Sequence, residues 1–186
     1  MKWSGEQIYI RPLEADDVEA FYEMNARNRE FWGEFEPDFD RPEPTFEHTV
    51  GRIGQQKERA ANDQSYFFGI FLKETNELIG DVSLAEVFRG PLQSCIVGYS
   101  LDQAHNGKGY TTEAVRLAVQ HAFERLNLHR LEAGVMPHNR GSRRVLEKVG
   151  FHYEGIAREK LKIKGVWQDH CQYSMVRSDW DRLKSK

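Results

Sequence analysis

Asn106-Gly107-Lys108-Gly109-Tyr110-Thr111-Thr112-Glu113-Ala114 lies between an extended apolar run, Cys95-Ile96-Val97-Gly98-Tyr99-Ser100-Leu101, and a helical pattern from Thr112 to Leu126. A strand that passes through a glycine turn into a helix presents unpaired backbone N–H groups at the positive end of a helix dipole. That arrangement captures a phosphate or pyrophosphate. Gly107 and Gly109 let the main chain come close to the anion. Two familiar phosphate motifs are excluded by spacing. A P-loop needs glycine where this chain has Asp102 and Ser or Thr where it has Gly109. A dinucleotide fingerprint needs glycine at the position of Thr112.

Outward from this segment, the chain alternates short strands and amphipathic helices. Upstream, residues 7–13 read as a strand, with Ile8 and Ile10 alternating against Tyr9 and Arg11. Ala15-Asp16-Asp17 can cap a helix whose apolar face carries Val18, Phe21 and Tyr22. The stretch Glu34 to Asp40 interleaves carboxylates with aromatics and reads as a loop continuing through Pro42 and Pro44, after which Thr45 opens a second helix. Residues 65–73 and 78–87 form a hairpin across Glu74–Glu77, with Gly80 at a bulge. Downstream, residues 129–136 form a strand, 139–149 a helix stopped by Gly150, and 151–159 with 166–176 a hairpin turned at Lys164-Gly165. Ser178-Asp179-Trp180 starts a last helical turn. The order β-α-α-β-β-β-α-β-α-β-β predicts an α/β (α+β) fold. Its sheet is mixed and largely antiparallel, of about seven strands, with helices on both faces. The helix after Thr112 makes the strands ending at Leu101 and Met136 parallel neighbours.

Composition narrows the function classes. The chain has 186 residues, 26 basic and 29 acidic side chains and a formal charge of −3. That suits one domain, 1–186, with a scattered surface charge and no basic arm for nucleic acid. Cys95 and Cys171 are not in metal-ligand or disulfide-framework spacing, which fits a reducing, cytoplasmic setting and no structural metal. No apolar run approaches the ~20 residues of a membrane span.

A second constellation, Asn139-Arg140-Gly141-Ser142 followed by Glu147, Gly150 and Phe151, stands after the strand that leads to Met136 and Pro137. With it, the chain resembles the GNAT superfamily of acetyl-CoA-dependent N-acetyltransferases. The family's Q/R-x-x-G-x-G/A loop aligns with Asn106 to Thr111, and its later N-x-x-S/A helix with Asn139 and Ser142. Cys95–Asp102, Met136–Asn139, Glu154–Ala157 and Gly165–His170 with Trp180 look like the ribosomal-protein-alanine N-acetyltransferase branch, the RimJ/RimL type. Asn106 stands where Gln or Arg is usual, and Thr111 where Gly or Ala is usual; neither change removes a backbone donor.

The resemblance implies a GNAT-like fold with a splayed parallel strand pair and acetyl-CoA as cosubstrate. It places the pantetheine arm along Tyr99, Ser100 and Leu101, and the pyrophosphate on Asn106, Gly107, Lys108, Gly109, Tyr110, Thr111 and Thr112. Asn139 and Ser142 border the pantetheine, and Ser142 is the acid for the departing thiolate, because Leu146 stands where many relatives carry tyrosine. Many relatives also place a glutamate where this chain has Ile96, so the base must come from elsewhere: Asp81, Glu132, His138 and Asp169 are candidates. A strand N–H near Val97 or Gly98 would polarise the thioester carbonyl. The implied partners are acetyl-CoA and a primary amine, favoured as a protein N-terminus such as that of a ribosomal protein, in a monomer or homodimer. An N-terminal amine of pKa about 7.7–8.0 needs only a weak base, unlike lysine at about 10.4. Two alternatives stay open: a small-molecule amine acetyltransferase for an amino sugar, polyamine or amino acid, and a non-catalytic CoA-binding or ribosome-associated factor.

Overall fold

The protein is described by a computed structural model covering residues 1–37 and 45–185. In chain order the elements are β1 (Trp3–Ser4), β2 (Ile8–Arg11), α1 (Val18–Trp32), α2 (Phe46–Ala61), β3 (Tyr66–Leu72), β4 (Leu78–Phe88) and β5 (Ser94–Leu101). They continue with α3 (Tyr110–Glu124), β6 (Arg130–Val135), α4 (Arg140–Val149), β7 (His152–Ile163), β8 (Val166–Val176) and α5 (Arg177–Lys184). The strands form one sheet in the order β1-β2-β3-β4-β5-β6-β8-β7. Every neighbouring pair is antiparallel except β5 and β6.

The mixed sheet matches the expectation; its strand number does not, being eight rather than about seven. The extra strand, Trp3–Ser4, is too short to show alternation. It is held by packing: the Trp3 ring meets Phe68 at 5.2 Å and His121 at 4.4 Å, both edge-on. β7 also runs beyond its expected end, to Ile163. The charged run Arg158-Glu159-Lys160 hides the strand in the sequence, because register shifts between Ala157 and Leu161 absorb it. The terminal helical turn is a full helix, α5. The bulge foreseen at Gly80 falls beside it, where Ile70 pairs Gly80 and Phe71 pairs Leu78. Gly80 has its own reason to lack a side chain, since a Cβ there would come within 2.4 Å of the Ser100 carbonyl oxygen.

Period-two alternation divides the apolar residues between the two faces of the sheet. In β2, Ile8 and Ile10 join a core that includes Val82, Leu84, Val97 and the Ala114, Ala118 and Ala122 face of α3. Tyr9, between them, joins the opposite core with Phe21 and Met24 of α1, Ile53 of α2 and Phe71. The sheet therefore lies between α3 and α4 on one side and α1 and α2 on the other.

The feature that positions the site is the parting of β5 from β6. They pair only at Ser94–Arg130, Cys95–Leu131 and Ile96–Glu132. Beyond that, β5 stays on β4 as far as Leu101 and β6 stays on β8 as far as Val135. Only the two facing edges open.

Candidate active site

A cleft of about 1230 Å³ passes through this opening, lined by Val97 to Leu101 on one edge and Ala133 to Met136 on the other. Gly98 and Gly134 flank it, and a Cβ at either would press on a neighbour, Ser83 Oγ at 3.0 Å or Gln172 Nε2 at 3.2 Å. Beyond Ile96 the edge of β5 that faces β6 has no strand partner among the described residues, which suits an extended amide-bearing ligand laid alongside as an added strand. The Leu101 carbonyl is already engaged, accepting from Trp32 Nε1 at 2.9 Å. That bond ties the end of α1 to the end of β5.

After Leu101, Asp102 accepts from Ala104 N at 3.2 Å and pairs with Arg27. Gly107 and Gly109 take φ of +81° and +87°, values only glycine holds without strain. Gly109 forms the N-cap of α3, and the first intrahelical donation runs from Glu113 N to the Gly109 carbonyl at 3.1 Å. The N–H groups of Tyr110, Thr111 and Thr112 therefore face outward at the positive end of the helix. Asn106, Gly107, Gly109, Thr111 and Thr112 line the cleft, as do Ser100 and Leu101. Lys108 is exposed, and Tyr110 lies against His105, at 6.4 Å between rings. These residues fit a diphosphate joined to a pantetheine arm.

On the far edge, Asn139 caps α4, its Oδ1 accepting from Ser142 N at 3.1 Å. Both line the cleft. Ser142 Oγ lies 2.8 Å from the Tyr99 hydroxyl, which also reaches the Ser142 carbonyl at 3.1 Å. Tyr99 is thus more than a strand residue, since it joins β5 to α4 across the opening. Burial pushes its phenol well above the usual range, and the bond to Ser142 only partly offsets this. Leu146 is fully buried.

The three carboxylates foreseen as bases part company. Asp81 of β4 pairs with Ser100 and lines the cleft. Burial raises its pKa from 3.8 to about 7, opposed by Arg52 and assisted by Glu36. Glu132 sits at the last paired position of β5 and β6, outside the cleft lining, where it accepts from Arg130 Nε at 2.7 Å. Asp169 Oδ1 accepts from Glu159 N at 2.8 Å, a strand-bulge contact, and His138 lies against Phe35, at 5.8 Å between rings. Cys95 is buried, which pushes its thiol up to about 12 and removes it as a nucleophile.

On the α1 and α2 side, Phe31, Trp32, Phe35, Glu36 and Pro37 form one wall, and His48, Arg52, Gln55, Gln56 and Arg59 another. The acidic-aromatic stretch therefore does reach the cleft; Asp38, Phe39 and Asp40 lie outside the described residues. Trp32 and His170 are among the lining residues that the sequence reading leaves without a role. Trp32 belongs to no motif in the sequence. His170 of β8 is one histidine among seven; it closes the Gly165–His170 stretch, but its place on the cleft depends on how the strands part.

A sheet parted at a single parallel pair, with a glycine-turned helix N-terminus at its mouth, defines an acyl-CoA-dependent transferase. The chain belongs to the GNAT acetyltransferases: residues 7–152 match the Acetyltransferase (GNAT) domain family. It is 50% identical over 175 residues to the probable N-acetyltransferase YjcK of Bacillus subtilis, covering 94% of this chain and 97% of that one. It is 31% identical over 180 residues to the ribosomal protein uS5-alanine N-acetyltransferase of Escherichia coli, covering 97% and 93%. The ribosomal-protein-S5-alanine acetyltransferase structure from Vibrio fischeri superposes with a TM-score of 0.90 at 32% identity, covering 97% and 98%. Mycobacterium smegmatis RimJ in complex with CoA-disulfide superposes with a TM-score of 0.88 at 26% identity, covering 96% and 88%. The protein is an N-acetyltransferase acting on amines with acetyl-CoA as cosubstrate. Among the described residues no helix is long and apolar enough to cross a membrane.

Proposed function

We propose that this enzyme acetylates the α-amine of a protein N-terminus by direct attack within a ternary complex. The observation that carries the reading is Asp81: a carboxylate at the cleft with a pKa of about 7. A base of that strength is matched to an α-amine of pKa about 7.7–8.0 and poorly matched to a lysine at about 10.4. The shape of the acceptor side agrees. The lining follows α2 from His48 to Arg59 and β4 from Asp81 through Ser83 to Ala85, a groove roughly 13 Å long at ~3.3 Å per strand residue. An extended peptide fills such a groove better than a compact amine does.

In this reading acetyl-CoA supplies an activated thioester, and the chain's own groups do the rest. Asn106, Gly107, Lys108, Gly109, Tyr110, Thr111 and Thr112 hold the diphosphate, and the β5 edge at Tyr99, Ser100 and Leu101 aligns the pantetheine. The N–H groups near Val97 and Gly98 polarise the thioester carbonyl. Asp81 removes the amine proton, and Ser142, backed by Tyr99, donates to the sulfur. Glu132, held by Arg130, takes no part. Direct attack needs no enzyme nucleophile, consistent with the buried Cys95 thiol.

The test is to incubate the purified chain with acetyl-CoA and three acceptors: Ala- or Ser-starting peptides, N-terminally blocked lysine peptides and small amines. Thiol release and mass spectrometry are the readouts. Acetylation confined to free N-termini is expected. Turnover with small amines alone would overturn the reading.

A further inference from the structure

We propose that α1 braces the loop that holds the diphosphate of acetyl-CoA, with Arg27 and Asn28 as positioning residues for that anion. The inference rests on the reading of Asn106 to Thr112 as the diphosphate site and adds what sets its place. Leu101, Asp102 and Gln103 carry the chain from the end of β5 towards this loop. Each of the three is held by a different side chain of α1. Trp32 Nε1 donates to the Leu101 carbonyl at 2.9 Å. Arg27 Nε donates to Asp102 Oδ2 at 2.7 Å. Asn28 Oδ1 accepts from Gln103 N at 2.9 Å.

Burial makes these bonds specific. Asn28 is 2% exposed and Asp102 4%, so water does not readily replace a lost partner. Asn28 is fixed from its other end as well, its Nδ2 donating to the Met24 carbonyl at 2.9 Å. Asn28 and Trp32 stand one turn apart, so one face of α1 grips the segment twice.

The loop depends on such support. A Cβ at Gly107 or Gly109 would meet nothing within 4 Å. Among the described residues, then, no side packing steadies the loop at its glycines, and its position is set at its two ends. One end is α3. At the other, His105 N donates to the Asp102 carbonyl at 2.9 Å and Asn106 N to the Gln103 carbonyl at 3.2 Å. These two bonds carry the placement of Asp102 and Gln103 forward to Asn106. The α1 side chains therefore decide where the loop stands relative to the β5 edge, which is the span between pantetheine and diphosphate.

The experiment needs no acceptor. Calorimetry measures CoA and pantetheine, which lacks the diphosphate, against wild type, Arg27→Ala, Arg27→Lys and Asn28→Ala. The Arg27 side chain is 44% exposed, so its replacement spares the core. Trp32 is left intact because it also lines the cleft. The Kd for CoA should rise about 3–10-fold in Arg27→Ala and in Asn28→Ala, as loss of one bond depopulates the binding-competent loop position. Arg27→Lys, which keeps a cation for Asp102, should recover most of that loss. A purely structural role would lower the number of sites per chain and leave Kd alone. An unchanged Kd for CoA in either folded alanine variant overturns the proposal. A pantetheine affinity that falls in step with that of CoA does so too, since it places the effect on β5. If wild type binds CoA no tighter than pantetheine, the diphosphate reading itself fails, and this one with it.

Discussion

The two halves of the cleft are built from different material. The half proposed for CoA is main chain: the β5 edge, two glycines at positive φ and the first turn of α3. The half proposed for the acceptor is side chains, carried by α1, α2, β4 and β8. A main-chain site tolerates exchange of its side chains, which is why Asn106 and Thr111 can stand in for the usual residues. A side-chain site changes its ligand with each exchange. The first half is thus a fixed handle, and specificity resides in the second.

The sharpest way to break the first half is Gly109→Val. A β-branched residue at φ +87° is strained by at least ~1–2 kcal/mol and displaces the N–H groups of the α3 cap. CoA affinity measured by calorimetry should fall roughly 100-fold or more, the strain and the lost anion contacts combining. Lys108→Ala, which changes only an exposed side chain, should cost less than about tenfold.

That contrast also explains what was legible in the sequence. Gly107, Gly109, Asn139 and Gly150 announce themselves because positive φ and helix caps demand particular residue types. Asp81 and Glu132 carry no such mark. Both are carboxylates on strands, and the choice between them is made by pairing. Asp81 shares its position with Ser100 beside the opening, whereas Glu132 closes the last paired rung and meets Arg130. His170 was hidden for the same reason, its relevance depending on how far β6 and β5 part. The two-residue β1 left no period to read and owes its place to Trp3 packing.

Asp81→Asn tests the second half. With the base removed, kcat should fall by about 10²–10⁴ while CoA affinity holds. The part of the wild-type rise in kcat/KM centred near 7 should vanish, leaving the rise set by the substrate α-amine at about 7.7–8.0. Stability should move the other way. The folded pKa of about 7 exceeds the ordinary 3.8, so the native state binds this proton more readily and stability declines as pH rises between those values. Asparagine removes that cost. The variant should match wild type near pH 4 and exceed it at pH 8 by on the order of 2 kcal/mol in denaturant unfolding, allowing for partial solvation.

His121, on the α3 side, supplies the opposite sign. It is boxed by Trp3, Tyr66 and Phe68 with neither ring nitrogen paired, and burial lowers its pKa from 6.5 to about 4. The unfolded chain takes up this proton first, so stability is lost as pH falls from 6.5 towards 4, by up to about 3 kcal/mol. His121→Phe should flatten that limb in thermal unfolding at pH 5 and leave kcat untouched. The two groups titrate with opposite effects on stability, Asp81 in the role proposed for it as base and His121 packed among aromatic rings.

Ser142→Ala should matter less than Asp81→Asn. A thiolate of ordinary pKa about 8.5 departs with little help, and the Tyr99 hydroxyl keeps the Ser142 carbonyl as partner at 3.1 Å. A drop in kcat of about tenfold is expected, with CoA binding and melting temperature near wild type. Adding Tyr99→Phe should give little further loss if the two hydroxyls act as one donor chain.

Glu132→Gln should do least, and it bears most directly on the division between the halves. Glu132 is 46% exposed, and its partner Arg130 keeps a second carboxylate, Glu154, at 2.6 Å. Losing one such pair costs about 0–1 kcal/mol, and kcat should stay within about twofold of wild type. The value of the variant lies in its pairing with Asp81→Asn. Both remove a carboxylate from a strand of the same sheet, and they differ in whether that strand position opens on the cleft. If Glu132→Gln instead lost a hundredfold in kcat with CoA affinity intact, the base would belong to the paired root of β5 and β6. The acceptor would then have to reach that root, and the groove along α2 would not be its path.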